Sequence, residues 1–261
     1  MLQNNINMGK IQKNKKEEVF TYKYPHPAVT ADCVIFGYDY KEKELKTLLI
    51  KRKKADKDDE NVFENWWALP GGFLKVDEDE TIADTAIREL KEETGLKLEK
   101  DNLKEVGCFS KRYRDPRERL IHERVITIAH YALVKLRDDV KGDTDAKEAK
   151  WFSINEIPDL AFDHTEIKDK ALELLRKDIH FEPIGFDLLP DEFTLPQLQH
   201  LYESILGVKF DRRNFANKML RLNILESIED PERKSTTAIT YRFKEQEYIE
   251  FKKKKGFHLE F

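Results

Sequence analysis

The sequence is poor in the residues that mark several classes of protein. Glycine and proline supply only 10 and 9 of the 261 residues, a combined share well below the roughly 12% that is usual, which excludes a collagen-like or Pro/Gly-rich disordered chain. The two cysteines, Cys33 and Cys108, are too few for a disulfide framework and follow no metal-ligand spacing. No apolar run approaches the roughly 18 residues of a membrane-spanning helix. We therefore expect a cytoplasmic protein with reduced thiols and no membrane partner.

Charged residues, by contrast, are abundant. They make up 38% of the chain, against roughly 25% in an average soluble domain. The 47 basic and 51 acidic side chains leave a formal net charge of only −4. Apolar residues at 39%, with aromatic residues at 11%, still suffice for a hydrophobic core. The first stretch, residues 1–20, is polar and lacks the apolar segment of a secretory signal, so we expect a flexible tail there.

The spacing of apolar residues up to about residue 180 predicts strands mixed with helices. Two β-branched runs on either side of a charged turn, YKEKEL, predict a hairpin, and WWALPGGF predicts a short strand that stops at its PGG. Helical spacing is present in residues 81–96 and again in residues 164–179. Gly95 stands where a glycine commonly ends a helix. Further strands are predicted in VITIAHYALVKL and AKWFS.

The remaining residues show the order of elements of a winged helix-turn-helix. One helix is predicted from Thr194, a candidate N-cap with Gln197 three residues on, to Gly207, and a second helix follows it. The segments ILESIE and AITYRF then predict a hairpin. Helix, turn, helix and hairpin are the parts of a winged helix. We therefore predict two domains, 21–184 and 185–261.

Three glutamates gather on the first predicted helix. Glu89, Glu92 and Glu93 fall within an arc of about 100° if each residue advances the helix by about 100°, so their side chains are neighbours. Carboxylates this close repel one another unless a cation neutralises them, and Mg²⁺ prefers carboxylate oxygens. Arg88 can hold the glutamates by charge-assisted hydrogen bonds. The pair Gly71-Gly72 allows a close backbone approach before the helix, where a diphosphate can lie.

The surroundings of these glutamates decide their interpretation. A Glu–Glu pair in so charged a chain ordinarily indicates a solvated helix face. Here the segment RELKEETGL, from Arg88 to Leu96, resembles without a gap the second half of the Nudix box, Gly-x5-Glu-x7-Arg-Glu-aliphatic-x-Glu-Glu-x-Gly-aliphatic. Glu80 stands at the required distance before Arg88. Seven residues rather than five separate Gly72 from Glu80, so the loop is longer than in the pattern and the role of Glu80 is left open.

The resemblance to the Nudix family implies a fold, a cofactor and a reaction. The fold is α+β, with the α/β/α sandwich of Nudix domains ahead of the winged helix. The reaction is hydrolysis of a nucleoside diphosphate linked to another moiety, with ADP-ribose as the expected substrate and Mg²⁺ or Mn²⁺ as the cofactor. The implied metal ligands are Glu89, Glu92, Glu93 and the Gly72 carbonyl. The implied catalytic residues are Glu92, as a further ligand or the base, together with Glu93 and Arg88.

Other candidate site residues rest on their position in the chain. Arg52, at the end of a predicted strand, and Arg114 and Arg117, in the loop RDPR, are predicted to bind substrate. For Arg52, a solvated strand end is an equal alternative. One of Trp66 and Trp67 can stack on a base, since strand alternation places the other in the core. Three acids before a later strand are candidate general bases: Asp143, Asp145 and Glu148.

The second helix of the predicted winged helix carries the candidate DNA-binding residues. Arg and Asn side chains suit guanine and adenine edges, and Arg and Lys also bind phosphates. The candidates are Arg212, Arg213, Asn214, Asn217, Lys218 and Arg221. Residues 185–261 nevertheless hold 13 basic and 13 acidic side chains, short of the basic footprint common in DNA-binding domains. A domain that packs on the first or mediates dimerisation is the alternative.

A Nudix domain followed by such a module resembles the Nudix-related transcriptional regulators. The segment LLPDEFTLPQLQHLYESILGVKFDRRNF and the motifs PGGF, RDPR and AFDH carry this resemblance. The group includes repressors of NAD metabolism and arabinose-responsive regulators. It implies a homodimer on palindromic double-stranded DNA and a Nudix domain that senses ADP-ribose or a sugar. Two functions therefore remain: a metal-dependent hydrolase with an appended winged helix, and a DNA-binding regulator that hydrolyses its ligand slowly or not at all.

Overall fold

The computed structural model has an α+β fold, as predicted. It describes residues 23–53, 63–116, 118–121, 124–136, 146–184, 188–228 and 238–253. The predicted tail, residues 1–20, lies outside these ranges. None of the helices that the described residues form is long and apolar enough to cross a membrane.

A mixed sheet forms the centre of the first part of the described chain. Its strands are β1 (Ala28–Asp39), β2 (Glu44–Arg52), β3 (Trp67–Ala68), β4 (Gly71–Phe73), β5 (Lys104–Phe109), β6 (Val125–Val134) and β7 (Ala146–Ser153). β1 runs antiparallel to β2 and β4 and parallel to β6. β2 also pairs with β3 and β7, and β6 with β5. The predicted hairpin is confirmed in β1 and β2.

Helices cover both faces of this sheet. The helices of this part are α1 (Ile82–Thr94), α2 (Glu118–Ile121) and α3 (His164–Asp178). Ile35 of β1 shares a buried core with Leu90 of α1. Its neighbour Phe36 lies in the opposite core, with Leu175 of α3. Because successive strand residues point to opposite faces, β1 serves both cores, and the predicted α/β/α sandwich is confirmed.

The predicted winged helix-turn-helix is present in the second part. Its elements are β8 (Phe193–Thr194), α4 (Leu195–Leu206), α5 (Arg212–Arg221), β9 (Leu225–Ser227), β10 (Thr240–Phe243) and α6 (Glu245–Lys253). Thr194 and Gln197 form the predicted capping box, and Gly207 ends α4 with φ of 71°. β9 and β10 form the predicted hairpin. β8 and α6 were not predicted from the sequence. β8 has only two residues, too few to show a strand periodicity, and α6 contains few apolar residues.

The two parts share one hydrophobic core. α4 packs against both β2 and α3, and Leu198 and Leu201 of α4 lie in the same buried cluster as Leu175 of α3. The Arg176 Nε of α3 donates a hydrogen bond of 2.8 Å to the carbonyl of Ile205, in the last turn of α4. This bond satisfies one of the carbonyls that a helix end leaves without a partner inside the helix. The domain boundary between residues 184 and 185 stays a prediction.

Glu203 of α4 is buried in a set of hydrogen bonds that orders the turn between α4 and α5. Its carboxylate accepts hydrogen bonds of 2.9 Å from Gln199 Nε2, Lys209 Nζ and the Phe210 backbone N–H. Burial by itself raises the pKa of this carboxyl, but the three donors outweigh burial and lower the pKa to about 2.

We predict that Glu203→Gln lowers the free energy of unfolding at neutral pH by about 1–3 kcal/mol, because charge-assisted hydrogen bonds are weakened. The folded pKa lies below that of an unfolded glutamate, about 4.3. The stabilisation by Glu203 is therefore complete at neutral pH and is lost as the pH falls toward about 2. Urea titrations at neutral pH and near pH 3 measure this, with the exposed Glu192→Gln as control. A difference between wild type and variant that does not shrink in acid would contradict the prediction.

Candidate active site

Helix α1 holds its three glutamates firmly because both of its ends are capped. Thr81 and Asp84 form a capping box at the start of the helix. At its end Gly95 adopts the left-handed conformation, with φ of 73°, and its N–H donates to the carbonyl of Lys91, so the predicted glycine cap is confirmed. Leu90 is fully buried under the helix. The helix can therefore neither rotate nor unwind easily, and its acidic side is directed at β4.

Arg88 donates hydrogen bonds to three neighbouring glutamates. Its Nε and Nη2 donate to the two carboxylate oxygens of Glu80 at 2.7 and 3.2 Å. Its Nη1 donates to Glu89 at 2.6 Å and to Glu92 at 3.3 Å, and Nη2 also donates to the Phe73 carbonyl at 3.0 Å. The hydrogen bond from Arg88 lowers the pKa of Glu80 to about 2. Despite the longer loop, Glu80 thus anchors Arg88.

Gly71 and Gly72 lie where acidic side chains press against the backbone. β4 pairs with β1 so that Gly71 stands opposite Asp32, and the Gly71 N–H donates to Glu93 Oε2 at 2.9 Å. A Cβ on Gly72 would overlap the Glu89 carboxylate, whereas a Cβ on Gly71 would lie 2.9 Å from Asp32 Cα. The predicted short strand does end before these glycines, since β3 stops at Ala68, and the glycines themselves begin a separate strand, β4. Their missing side chains make room for the carboxylates.

Glu93 is buried among other acids. It is 6% exposed, and this burial raises its pKa well above the usual value for a glutamate. Glu89 and Asp32 raise the pKa further by repulsion, whereas the Gly71 N–H and Arg52 lower it. Crowded carboxylates in a low-dielectric site favour a proton or a cation. These hard oxygen donors suit Mg²⁺ or Mn²⁺.

The described side chains do not form a closed metal cage. No three His, Cys, Asp or Glu residues among them are grouped as ligands around one point. Glu89 is bound to Arg88, and the Glu92 side chain is 44% exposed. Mg²⁺, however, keeps several waters and is usually held by one or two carboxylates together with substrate phosphates. The carboxylates of Glu93 and Glu89, which lie against the two glycines, are oxygen donors of the kind that such a cation takes.

A pocket opens beside the two glycines. Gly71, Gly72, Asp32, Arg52 and Phe162 are among the residues that line it. Arg52 is half-buried, and its guanidinium carbon lies 4.8 Å from the centre of the Phe162 ring, within the range of a cation–π contact. The structure thus brings Arg52 to the pocket instead of leaving it at a solvated strand end.

Arg114 reaches the same pocket as part of a buried ion pair. Its Nε and Nη2 donate to the two oxygens of Asp163 at 2.9 and 2.6 Å, and Nη2 lies 3.5 Å from Asp32 Oδ2. The Arg114 side chain is only 4% exposed. Neither aspartate is among the predicted site residues, because a lone aspartate in a strand or before a helix has no diagnostic spacing. For Asp163, the AFDH motif is the available signal.

Other predicted residues lie away from the pocket or outside the described residues. Outside them are Arg117, Asp143 and Asp145. Glu148 is exposed on β7, and it is not part of the pocket lining. The alternation of the tryptophans is confirmed, since Trp67 packs on Phe152 with ring centres 4.7 Å apart and Trp66 is 40% exposed.

Helix α5 exposes most of the predicted DNA-binding residues. Asp211 caps its start by accepting a hydrogen bond of 2.8 Å from the Asn214 N–H, and Phe215 and Met219 point into the core. The exposed candidates are Arg212, Arg213, Asn214, Asn217 and Arg221. Lys218 is half-buried. The exposed residues are Arg and Asn, the side-chain types that suit guanine and adenine edges.

Comparison with known protein families agrees with both parts of the fold. Residues 26–175 match the NUDIX domain, which is more than half of the chain. The chain belongs to the NUDIX family. Residues 185–243 of this Nudix protein match the NrtR DNA-binding winged helix domain.

Proteins similar to this Nudix protein include a repressor, an enzyme and a protein of known crystal structure. It is 29% identical over 228 residues to the ADPR responsive transcriptional repressor NtrR of Acinetobacter baylyi, over 86% of this chain and 85% of that protein. It is 42% identical over 154 residues to the ADP-ribose pyrophosphatase of Methanocaldococcus jannaschii, over 59% of this chain and 78% of that protein. The crystal structure of Shewanella oneidensis NrtR matches with a TM-score of 0.66 at 25% identity, over 88% of this chain and 97% of that chain.

We predict that the two glycines of the Nudix pocket respond differently to alanine. In Gly72→Ala the new Cβ meets the end of a flexible side chain, Glu89, so the fold is kept but Mn²⁺ affinity falls about 10–100-fold. In Gly71→Ala the Cβ meets the backbone of β1, so the protein is strongly destabilised. Thermal unfolding and Mn²⁺ titration calorimetry of both variants test this contrast. Equal thermal stabilities, or unchanged Mn²⁺ affinity in Gly72→Ala, would contradict it.

Proposed function

We propose that this Nudix protein hydrolyses a nucleoside diphosphate linked to another moiety, with ADP-ribose as substrate, in a reaction that depends on Mg²⁺ or Mn²⁺. The observation that carries this proposal is that an acidic side, formed by glutamates of α1, and a basic side, formed by arginines of the pocket lining, meet at the two glycines of β4. Glu93 and Glu89 lie against the glycines of β4, and Arg52 and Arg114 line the pocket beside them. An acidic side suits a cation and a basic side suits phosphates. The likeness to the Methanocaldococcus jannaschii pyrophosphatase supports ADP-ribose.

The acidic side has two tasks in the proposed reaction. Glu93, Glu89 and the Gly72 carbonyl would hold the cation, which when bound polarises a phosphoryl oxygen and activates water. Arg88 keeps Glu89 in place through its hydrogen bond of 2.6 Å. Glu92 is the most exposed of the three helix glutamates, so it can meet a water molecule and accept the proton of the attacking water as general base.

The basic side has the task of binding the diphosphate. The Arg52 guanidinium packs on the Phe162 ring, and the Arg114 guanidinium donates two hydrogen bonds to Asp163. Two guanidinium groups that are already held in position lose little freedom when they bind phosphate oxygens, and they stabilise the charge that develops there.

We expect Glu93→Gln to lower metal-dependent hydrolysis of ADP-ribose by about 100-fold or more while the fold stays intact. The amide oxygen can still accept the Gly71 N–H, but the charge that attracts a cation is gone. Steady-state rates with Mg²⁺, together with thermal unfolding, measure both effects. Glu99→Gln, at an exposed position after α1, is the matched control. Turnover at the wild-type rate in Glu93→Gln would refute the assignment.

A second function is supported by the winged helix. We propose that α5 binds double-stranded DNA and that the ligand of the Nudix domain regulates this binding, with slow or no hydrolysis. The match of residues 185–243 to a DNA-binding winged helix domain and the exposed Arg and Asn side chains of α5 support this function. A cytoplasmic homodimer, which would present two α5 helices to a palindromic site, belongs to the same proposal. Thermal stabilisation by ADP-ribose without turnover would favour this function alone.

We expect Arg213→Ala to weaken DNA binding roughly tenfold and to leave ADP-ribose hydrolysis unchanged, because α5 contributes nothing to the lining of the catalytic pocket. Duplexes selected from a random-sequence pool serve as the probe, in gel-shift titrations at several salt concentrations. Phosphate contacts make affinity fall with salt, so the salt must be fixed in each comparison. Lys97→Ala, an exposed cation of the Nudix domain, is the control. Equal DNA affinities of Arg213→Ala and wild type would argue against α5 as the DNA-recognition helix.

A further inference from the structure

Three consecutive residues at the start of α3 each hold a different part of the catalytic pocket. The ring of Phe162 supports the Arg52 guanidinium. The carboxylate of Asp163 binds Arg114. The Nδ1 of His164 accepts a hydrogen bond of 2.9 Å from the Leu69 N–H, close to the glycines. The start of α3 is therefore a support for the whole basic side of the pocket.

Asp163 takes up an unusual position for this task. Aspartate is one of the preferred residues at the N-cap of a helix, where its carboxylate ordinarily accepts a backbone N–H of the first turn. Asp163 is the N-cap of α3, yet its side chain makes no capping hydrogen bond. Both carboxylate oxygens accept hydrogen bonds from Arg114 instead. A local stabilisation of the helix is thus replaced by a contact with a loop far away in sequence.

The backbone beside each partner of this pair is also unusual. Tyr113, immediately before Arg114, has φ of 64°, and Phe162, immediately before Asp163, has φ of 56°. Bulky residues rarely adopt this left-handed conformation, and such residues persist only where the surrounding structure imposes them. Each of these left-handed residues directly precedes one member of the ion pair. The backbone therefore turns sharply just before Arg114 and just before Asp163.

The geometry of the pair leaves one nitrogen of Arg114 for a ligand. Within the described residues its side chain donates from Nε and Nη2, so Nη1 remains. A two-point contact with a carboxylate fixes the plane of a guanidinium. We propose that Asp163 is a positioning residue that orients Arg114 so that Nη1 binds the diphosphate of the substrate. This inference rests on the proposed hydrolysis or sensing of ADP-ribose and adds the residue that prepares its diphosphate site.

A purely structural ion pair has a different signature from a positioning one. If Asp163 only neutralises a buried charge, its loss reduces stability and the fraction of active protein, which lowers kcat. If Asp163 orients Arg114, its loss weakens substrate binding and raises KM, while the glutamates of α1 keep kcat close to its wild-type value. The ratio of these two effects separates the roles.

The test compares Asp163→Asn with Asp169→Asn in the full-length protein. Asp169 lies on the same helix with its side chain 62% exposed, so it is a matched control. We expect Asp163→Asn to raise the KM for ADP-ribose, and the Kd measured by calorimetry in EDTA, roughly tenfold or more, with kcat changed less than about threefold. Arg114→Lys keeps a charge beside Asp163 but loses the planar fork, and it is expected to raise KM similarly. Asp163→Asn in the Arg114→Lys background should add little, as a double-mutant cycle can show.

Each outcome has a distinct meaning. Wild-type protein that neither binds nor hydrolyses ADP-ribose would overturn the proposed ligand and this inference with it. Wild-type binding together with an unchanged KM and Kd in Asp163→Asn would overturn the inference alone. A fall in kcat at constant KM would also overturn it, in favour of a structural ion pair. If Asp163→Asn does not fold, Arg114→Lys decides, and an unchanged KM there would refute the positioning role.

Discussion

The burial of Glu93 beside Glu89 and Asp32 is the constraint on which the rest of the pocket region depends. Carboxylates in a low-dielectric site cannot all remain charged without compensation. The chain supplies three kinds of it: the guanidinium of Arg88 on Glu89, the backbone N–H of Gly71 on Glu93, and the positive charge of Arg52 nearby. The same crowding explains why glycines stand in β4. The carboxylates occupy the space that side chains on this strand would need.

Further ion pairs neutralise charged side chains around the pocket. Glu80 is bound to Arg88 on one side, and Asp163 and Asp32 surround Arg114 on the other. A buried pair of this kind contributes little net stability, but it fixes the direction in which its groups point. The pocket is thus held by oriented charges at several points. Helix α3 connects this region to the rest of the chain.

The winged helix is not a separate body attached to the Nudix domain. Its first helix shares a buried core with α3 and the sheet, and Arg176 of α3 binds the last turn of α4. α3 therefore contacts the pocket with its first residues and the winged helix with its last. This shared helix brings the pocket and the winged helix into one packed structure.

Local patterns in the sequence determined the family, the helix with the three glutamates, its glycine cap, the role of Arg88 and the order of the winged helix, because these depend on spacing within one element. The longer loop left Glu80 open, and only the fold showed that Glu80 still reaches Arg88. Tertiary structure alone decided the rest. Strand pairing of β4 with β1 brought Asp32 to Gly71, and the start of α3 brought Asp163 to Arg114 across 49 positions of sequence. Contacts between residues so distant in sequence have no period that a single sequence can display, since they depend on how the elements pack.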